Sequence, residues 1–320
     1  MCSSDLAGES IEVPGLEAPD SGFLALNAAL AGDGAVIEVA DDCVVERPLQ
    51  ILFLATEHGV ASFVQIRIRV GRRARVSIVE TYRGVPGAAG FTSAMTSVEA
   101  GAGATIEHVR IQDESEDAFH IGNLTVEQAR DSRVSLHSVS LGARLARHDA
   151  TVRLAGAGAS VALNGLYLAD GRRHIDHHLA VDHQQPDTSS RQYYKGILND
   201  AGRGVFSGRV TVHPGAVRAD ADQSNRNLLL SADAEADTKP ELEILADDVR
   251  CSHGATVGQL DAQALFYLRS RGLSAAAARA LLVRAFAADV LGRLPLPGLA
   301  DRLAARVSAR LPEPSAAENA

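Results

Sequence analysis

The chain has 320 residues, 46% of them hydrophobic but only 4% aromatic and none tryptophan, so a large core is built from Val, Leu, Ile and Ala. The net charge of −9, with arginines scattered among acids, excludes a nucleic-acid binder of the basic-patch kind and is read as solubility. Three widely spaced cysteines (Cys2, Cys43 and Cys251), no apolar run of about 18 residues and no signal-peptide pattern at the start imply a reducing compartment, no membrane span and a cytoplasmic protein.

In chain order, residues 1–34 form a short, weakly patterned N-terminal segment, with one short helix expected over Phe23–Leu30. From residue 35 to 259 the dominant signal is strand. Alternating or apolar runs recur at Ala35–Val39, Leu49–Ala55, Ser62–Val70, Arg75–Tyr82, Thr105–Ile111, Arg133–Leu141, Ser160–Leu168 and Gly204–Val212. Helical periodicity is scarce there, which excludes alternating βαβ units. A weak repeat, small–Gly–x–x–Ala–x–β-branched, places Ala74, Ala104, Ser132 and Ala159 at equivalent positions, with steps of 30, 28 and 27 residues. A turn followed by a strand at a near-constant interval is the pattern of a solenoid. A sandwich of hairpins has the same strand density. Hairpin turn signals are few, Asn164-Gly165 and Asp170-Gly171 apart, and this favours a parallel β-helix.

After Gly258 the period changes. Helices are expected over Leu260–Arg271, over Ser274–Leu291 with Ser274 as N-cap and Gly292 as stop, and over Leu299–Leu311. In the second, Leu281, Leu282, Ala285, Phe286 and Val290 form the expected stripe. Residues 260–311 are thus a small C-terminal helical domain, and 312–320 a disordered tail. The fold class is mainly β, a β-helix core with this α-helical appendage.

Three constellations bear on chemistry. On a strand, His174, Asp176 and His178 share one face about 7 Å apart, a metal-ligand composition followed by Asp182 and His183. The bland alternative is a polar solenoid face. Cys251 and His253, two apart, also share a face and could ligate a soft metal or form a nucleophile pair. Nothing marks an oxyanion hole, and a buried Cys with a hydrogen-bonded His is the simpler account. Asp220, Asp222, Asp233, Glu235 and Asp237 sit in what reads as a loop-like stretch, where solvated turns explain them better than acid–base catalysis. No P-loop pattern is present.

The stretch Thr238–Gly258, continuing through Asp261 and Leu265–Gly272, closely resembles the signature of the SufD branch of the SufB/SufD family. Further blocks are His174–His178, Ser190–Gln192, Gly204–Gly208 and Asn225–Leu229. Asn225-Arg-Asn227 stands where SufB carries a Cys-Asp-Ser-like block, and Cys251-Ser-His-Gly-Ala255 where SufB has a Glu-His-Glu-Ala type. The resemblance implies a right-handed parallel β-helix and a non-catalytic scaffold subunit of the SufBCD iron–sulfur cluster assembly complex. Such a subunit pairs with SufB through the β-helix and docks the SufC ATPase through the C-terminal helices, with Phe266, Arg269, Arg271, Leu282 and Phe286 as docking residues. ATPase activity resides on SufC. The nascent iron–sulfur cluster, shared transiently with SufB, falls by motif on His253, with Cys251 beside it. A reduced flavin on the assembled complex is a further cofactor that the resemblance raises. Chains of this branch carry a longer helical region before the β-helix than the thirty or so residues found here. The rival expectation is a metal-dependent β-helix enzyme using His174, Asp176 and His178.

Overall fold

The computed structural model describes residues 22–310. The expected disordered tail at 312–320, Cys2 and most of the N-terminal segment lie outside them. Sixteen strands, β1 (Asp33–Val39) to β16 (Arg250–Gly258), alternate between two eight-stranded sheets. Odd-numbered strands form one sheet and even-numbered strands the other, and each strand pairs in parallel with the strand two along. This winding is a β-solenoid, as the repeat predicts.

The repeat has a visible physical basis. One corner of each coil carries a residue with left-handed backbone: Asp42, Arg73, Gly103, Asp131, Gly158, Asp187, Arg218 and Asp248. Asp and Gly suit that conformation, which most side chains avoid. The amide of each such residue from Arg73 to Arg218 bonds a carbonyl of the next coil, as Arg73 N does to Ala102 O and Asp131 N to Ala157 O. The small residue that follows, Ala74, Ala104, Ser132 or Ala159, points inward and is 0–1% exposed.

Side chains alternate in and out along each strand. The inward positions form columns. Along one side of the interior these are Val, Ile and Leu (Ile66, Ile78, Ile106, Val152, Leu163, Val181). Along the other side the interior turns polar and aromatic. Tyr82, Glu80, His108, Arg110, His120, His148, His177, Tyr167 and Tyr194 are all buried. Large rings are accommodated by glycine on the adjacent rung. Gly165 lies beside Tyr194, and a Cβ on it would come within 2.0 Å of the tyrosine ring. Gly196 lies likewise beside Tyr167.

The interior carboxylates are paired. Burial alone would raise the Glu80 carboxyl, but His108 at 3.0 Å and the Tyr82 hydroxyl at 2.6 Å bring it down to about 2. Glu114 is buried too, and His120 at 2.7 Å and the Thr92 hydroxyl at 2.6 Å hold it at about 2. His177 packs among Tyr167, Tyr194 and His148 with neither ring nitrogen bonded. Burial, and then the Arg110 charge, push it down to about 3. Burial lowers His183 to about 4.

Helix α1 (Gly22–Leu30) lies on the odd-strand sheet, where Asn27 donates to Ser93 O at 2.8 Å and accepts from Gln65 Nε2 at 3.2 Å. After β16 come α2 (Ala262–Ser270), α3 (Ala275–Leu291) and α4 (Pro297–Ala309). Ser274 caps α3 as expected, its hydroxyl accepting from Ala277 N. Val283, Ala287, Val290, Leu291, Leu303 and Val307 bury the outer face of the even-strand sheet, on Val109, Ile111, Val139, Leu141, Leu166 and Leu168. The expected stripe is therefore rotated. Leu281 is 38% exposed, and Val283 and Ala287 face the sheet instead. An Ala-rich helix that is apolar nearly all round leaves its buried face to the partner surface. Two polar clamps fix the appendage. Asp113 meets Arg306 and Arg310 of the last helix, and Lys195 meets Asp289 at 2.7 Å.

Two outcomes are expected. Gly165→Ala forces the Tyr194 ring aside and lowers stability by about 1–3 kcal/mol or more, read as a fall in the urea midpoint. Stability also falls on acidification. The unfolded chain binds protons at His177 below about pH 6.5 and at Glu80 and Glu114 below about pH 4.5, whereas the folded chain binds them only near pH 3 and 2. One such histidine costs about 2 kcal/mol at pH 5, at about 1.4 kcal/mol per pH unit. His177→Phe, isosteric among aromatic rings, therefore flattens the decline of stability between pH 7 and pH 5; an unchanged slope would refute the assignment.

Candidate interface site at the open end of the solenoid

A solenoid has two ends: β1 and β2 (Leu49–Ala55) are the last strands at one, and Cys251 and His253 lie at the other. At the C-terminal end, β15 (Glu235–Ile244) and β16 are the last strands of their sheets, each paired on one side only. Their outer edges present unbonded backbone N–H and C=O groups. Almost every residue of β16 is exposed, and β15 is half-buried to exposed along its length.

Cys251 and His253 both lie on β16. In register they sit over Ala221 and Gln223 of β14 (Asp220–Leu229), both buried inward positions. The two side chains therefore belong to the inward face of the last coil. Cys251 packs against the core cluster and is half-buried. Burial pushes its thiol up, against a hydrogen bond with the Ala221 backbone, so the ground state is the thiol rather than the thiolate. His253 is exposed because no further coil covers it. The sequence expectation that these two residues share a face is met. The thiol and imidazole stand where a second β-edge, laid on β16, would enclose them.

Behind them the interior stays polar. Asn225 and Asn227 are buried, joined to each other at 2.7 Å, and both contact the Tyr167 hydroxyl. Gln223 and Gln192 are each 1% exposed. The sequence marks Asn225-Arg-Asn227 as part of a family block and as a contrast with SufB. Its place inside the solenoid follows from the pleat once β14 is recognised.

The other candidates separate. β11 (His174–His183) is a strand, and its pleat splits the histidine-rich segment. His174, Asp176 and His178 face outward, while His177 and His183 face the core. Asp176 meets His178 Nε2 at 2.8 Å and Arg147 at 3.1 Å. Among the described residues no group of three or more His, Cys, Asp or Glu side chains is arranged to hold a metal ion. Asp176 thus has a guanidinium where a metal site needs open coordination. Inside, His183 bonds Thr188 and Ser190, both at 2.9 Å. Of the acidic set only Asp233 lies in a loop, between β14 and β15. Asp220 and Asp222 lie on β14, Glu235 and Asp237 on β15, in different sheets. Asp220 pairs with Arg191 and Asp237 with Arg203, and the Ser252 hydroxyl donates to Asp222. Pairing along the strand ladder consumes these carboxylates. The misreading came from their polarity, since an outward-facing strand surface carries the same residues as a turn.

The remaining candidate residues lie around the helices. Phe266, 75% exposed, Arg269 and Arg271 are on or just after α2, a helix with no buried residue. Leu282 and Phe286 line a cleft of about 290 Å³ with Arg226, Thr256 and Val257, at the end of the β16 edge. Phe286 is already engaged in the fold, its ring centroid 4.2 Å from Lys195 Nζ. Among the described residues no helix is long and apolar enough to cross a membrane.

A family model described as "SUF system FeS cluster assembly, SufBD core domain" matches residues 53–286. An iron–sulfur cluster assembly SufBD family protein of Synechocystis is 37% identical over 90% of this chain, and the match covers 66% of that protein. The iron–sulfur cluster assembly protein SufD of Escherichia coli is 33% identical over 91% of this chain and 70% of its own length. SufD of Bacillus subtilis is 27% identical over 94% of this chain. The chain belongs to the SufBD family of the SUF system for iron–sulfur cluster assembly.

Proposed function

We propose that this chain is a non-catalytic scaffold subunit of the SufD kind. Its β body, residues 35–259, pairs with SufB edge to edge, and its helical unit, residues 260–311, docks the SufC ATPase. The observation that carries the reading is the open β15/β16 end with His253 exposed on it. An uncovered pair of parallel edges is a template for another β-helix. A residue that points inward on the last coil becomes interior once that template is filled.

In this reading the nascent cluster is cargo, built between the two subunits. The His253 imidazole supplies a nitrogen ligand, and Cys251 supplies a thiolate only when something lowers its proton affinity, as iron does. SufC seats on Phe266, Arg269 and Arg271, with Leu282 and Phe286 at the cleft beside β16. SufC binding and the edge pairing then lie next to each other. Movement of the helices is transmitted to the edge through Phe286 and the Lys195–Asp289 clamp. The complex is cytoplasmic, and a reduced flavin on it is an electron source consistent with cluster chemistry.

The test is co-expression with SufB and SufC, wild type beside His253→Ala, with anaerobic reconstitution. The expected result is equal recovery of the three-chain complex and loss of most cluster absorbance in the variant. Normal cluster formation by the variant would make His253 structural. Failure of the wild-type chain to co-purify with SufB and SufC would remove the scaffold role itself.

A further inference from the structure

The inward column that ends at His253 contains an unfinished hydrogen-bond chain. Gln192, Gln223 and His253 occupy the same pleat position on β12 (Ser189–Leu198), β14 and β16, with strands about 4.8 Å apart. Gln223 Nε2 donates to Gln192 Oε1 at 2.8 Å. Gln223 Oε1 is shut off from solvent and has no partner. Stacked amides bond in one direction, each donating to the rung behind and accepting from the rung ahead. The rung ahead of Gln223 is His253. Opposite, Gly208 leaves the room the amide fills, since a Cβ there would come within 1.9 Å of Gln223 Nε2.

We infer that Gln223 is a positioning residue for His253: no hydrogen bond joins the two in this structure, but the buried, unpartnered Oε1 is the acceptor that a turn of the imidazole on the next rung offers to one ring N–H, leaving the lone pair of the other ring nitrogen facing the open edge. A histidine that binds metal commonly gives its second N–H to such an acceptor, which fixes tautomer and ring orientation. The role rests on the reading of His253 as a cluster-assembly ligand. The hydrogen bond itself does not. Gln223 touches neither iron nor sulfur. It decides which nitrogen is free to do so and where that nitrogen points. Without it an exposed imidazole samples both tautomers and several rotamers, and the ligand atom is in place only part of the time.

The experiment uses the full chain alone, labelled with ¹⁵N-histidine, at about pH 8.5, two units above the ordinary imidazole pKa of about 6.5. The His253 resonances are identified by their disappearance in His253→Ala. In the wild type the two ring nitrogens are expected well apart, one protonated and one bare, as for a single tautomer. Gln223→Met, similar in volume but without an acceptor, should draw both resonances toward the tautomer average. Gln223→Glu, which restores an acceptor, should keep them apart. An averaged pair in the wild type overturns the inference whatever the variants do, and so does a Met variant with unchanged separation. No partner or cluster is present, so the outcome is independent of complex formation. A locked tautomer in a chain that fails to bind SufB would refute the scaffold reading and leave the hydrogen bond standing.

Discussion

Everything in this molecule follows from the requirement that each coil hand its backbone hydrogen bonds to the next. In parallel strands that ladder stays in register only if every coil turns the same corner in the same way. The left-handed residue at positions 42, 73, 103, 131, 158, 187, 218 and 248 meets that condition. Once register is fixed, side chains stack by position. The inside becomes a set of columns, and so do the ion pairs outside. Arg69 between Glu38 and Glu99, and Arg209 over Glu241, are consequences of stacking as much as of charge.

Column stacking also explains a polar interior that would be costly in a globular core. A buried charge must be paired and hydrogen-bonded. Rungs one strand spacing apart deliver partners at nearly fixed distances, so Glu80 finds His108, and the turn at a corner brings Glu114 to His120 on the following strand. Small residues set beside large rings, as Gly165 beside Tyr194, keep the packing dense.

The strands and the solenoid were legible because a period-two pattern and a turn motif recur at nearly constant spacing. Within the polar stretches the few apolar residues carry the reading of sides. In His174–His183 the alternating Ile175, Leu179 and Val181 share the parity of His177 and His183, which puts those two inside and His178 outside. The pairing with the neighbouring strands Leu145–Leu154 and Arg203–Val212 agrees. Asp220, Asp222, Glu235 and Asp237 read as loop in the sequence although they lie on strands, because an outward-facing strand surface is as polar as a turn. The α3 face was missed for the opposite cause, a helix so uniformly apolar that only the sheet beneath selects its side. His253 was found through the family motif. Its exposure at the end of a buried column belongs to topology alone.

The unpaired edge at β15 and β16 has a consequence for how much of this chain a cell can keep. A flat strand with free amides and carbonyls, and with Val257 46% exposed upon it, will adopt whatever edge it meets first. A copy whose edge stays uncovered is therefore an aggregation hazard rather than an idle spare. Covering this edge is then a solubility requirement, written into the last coil of the fold.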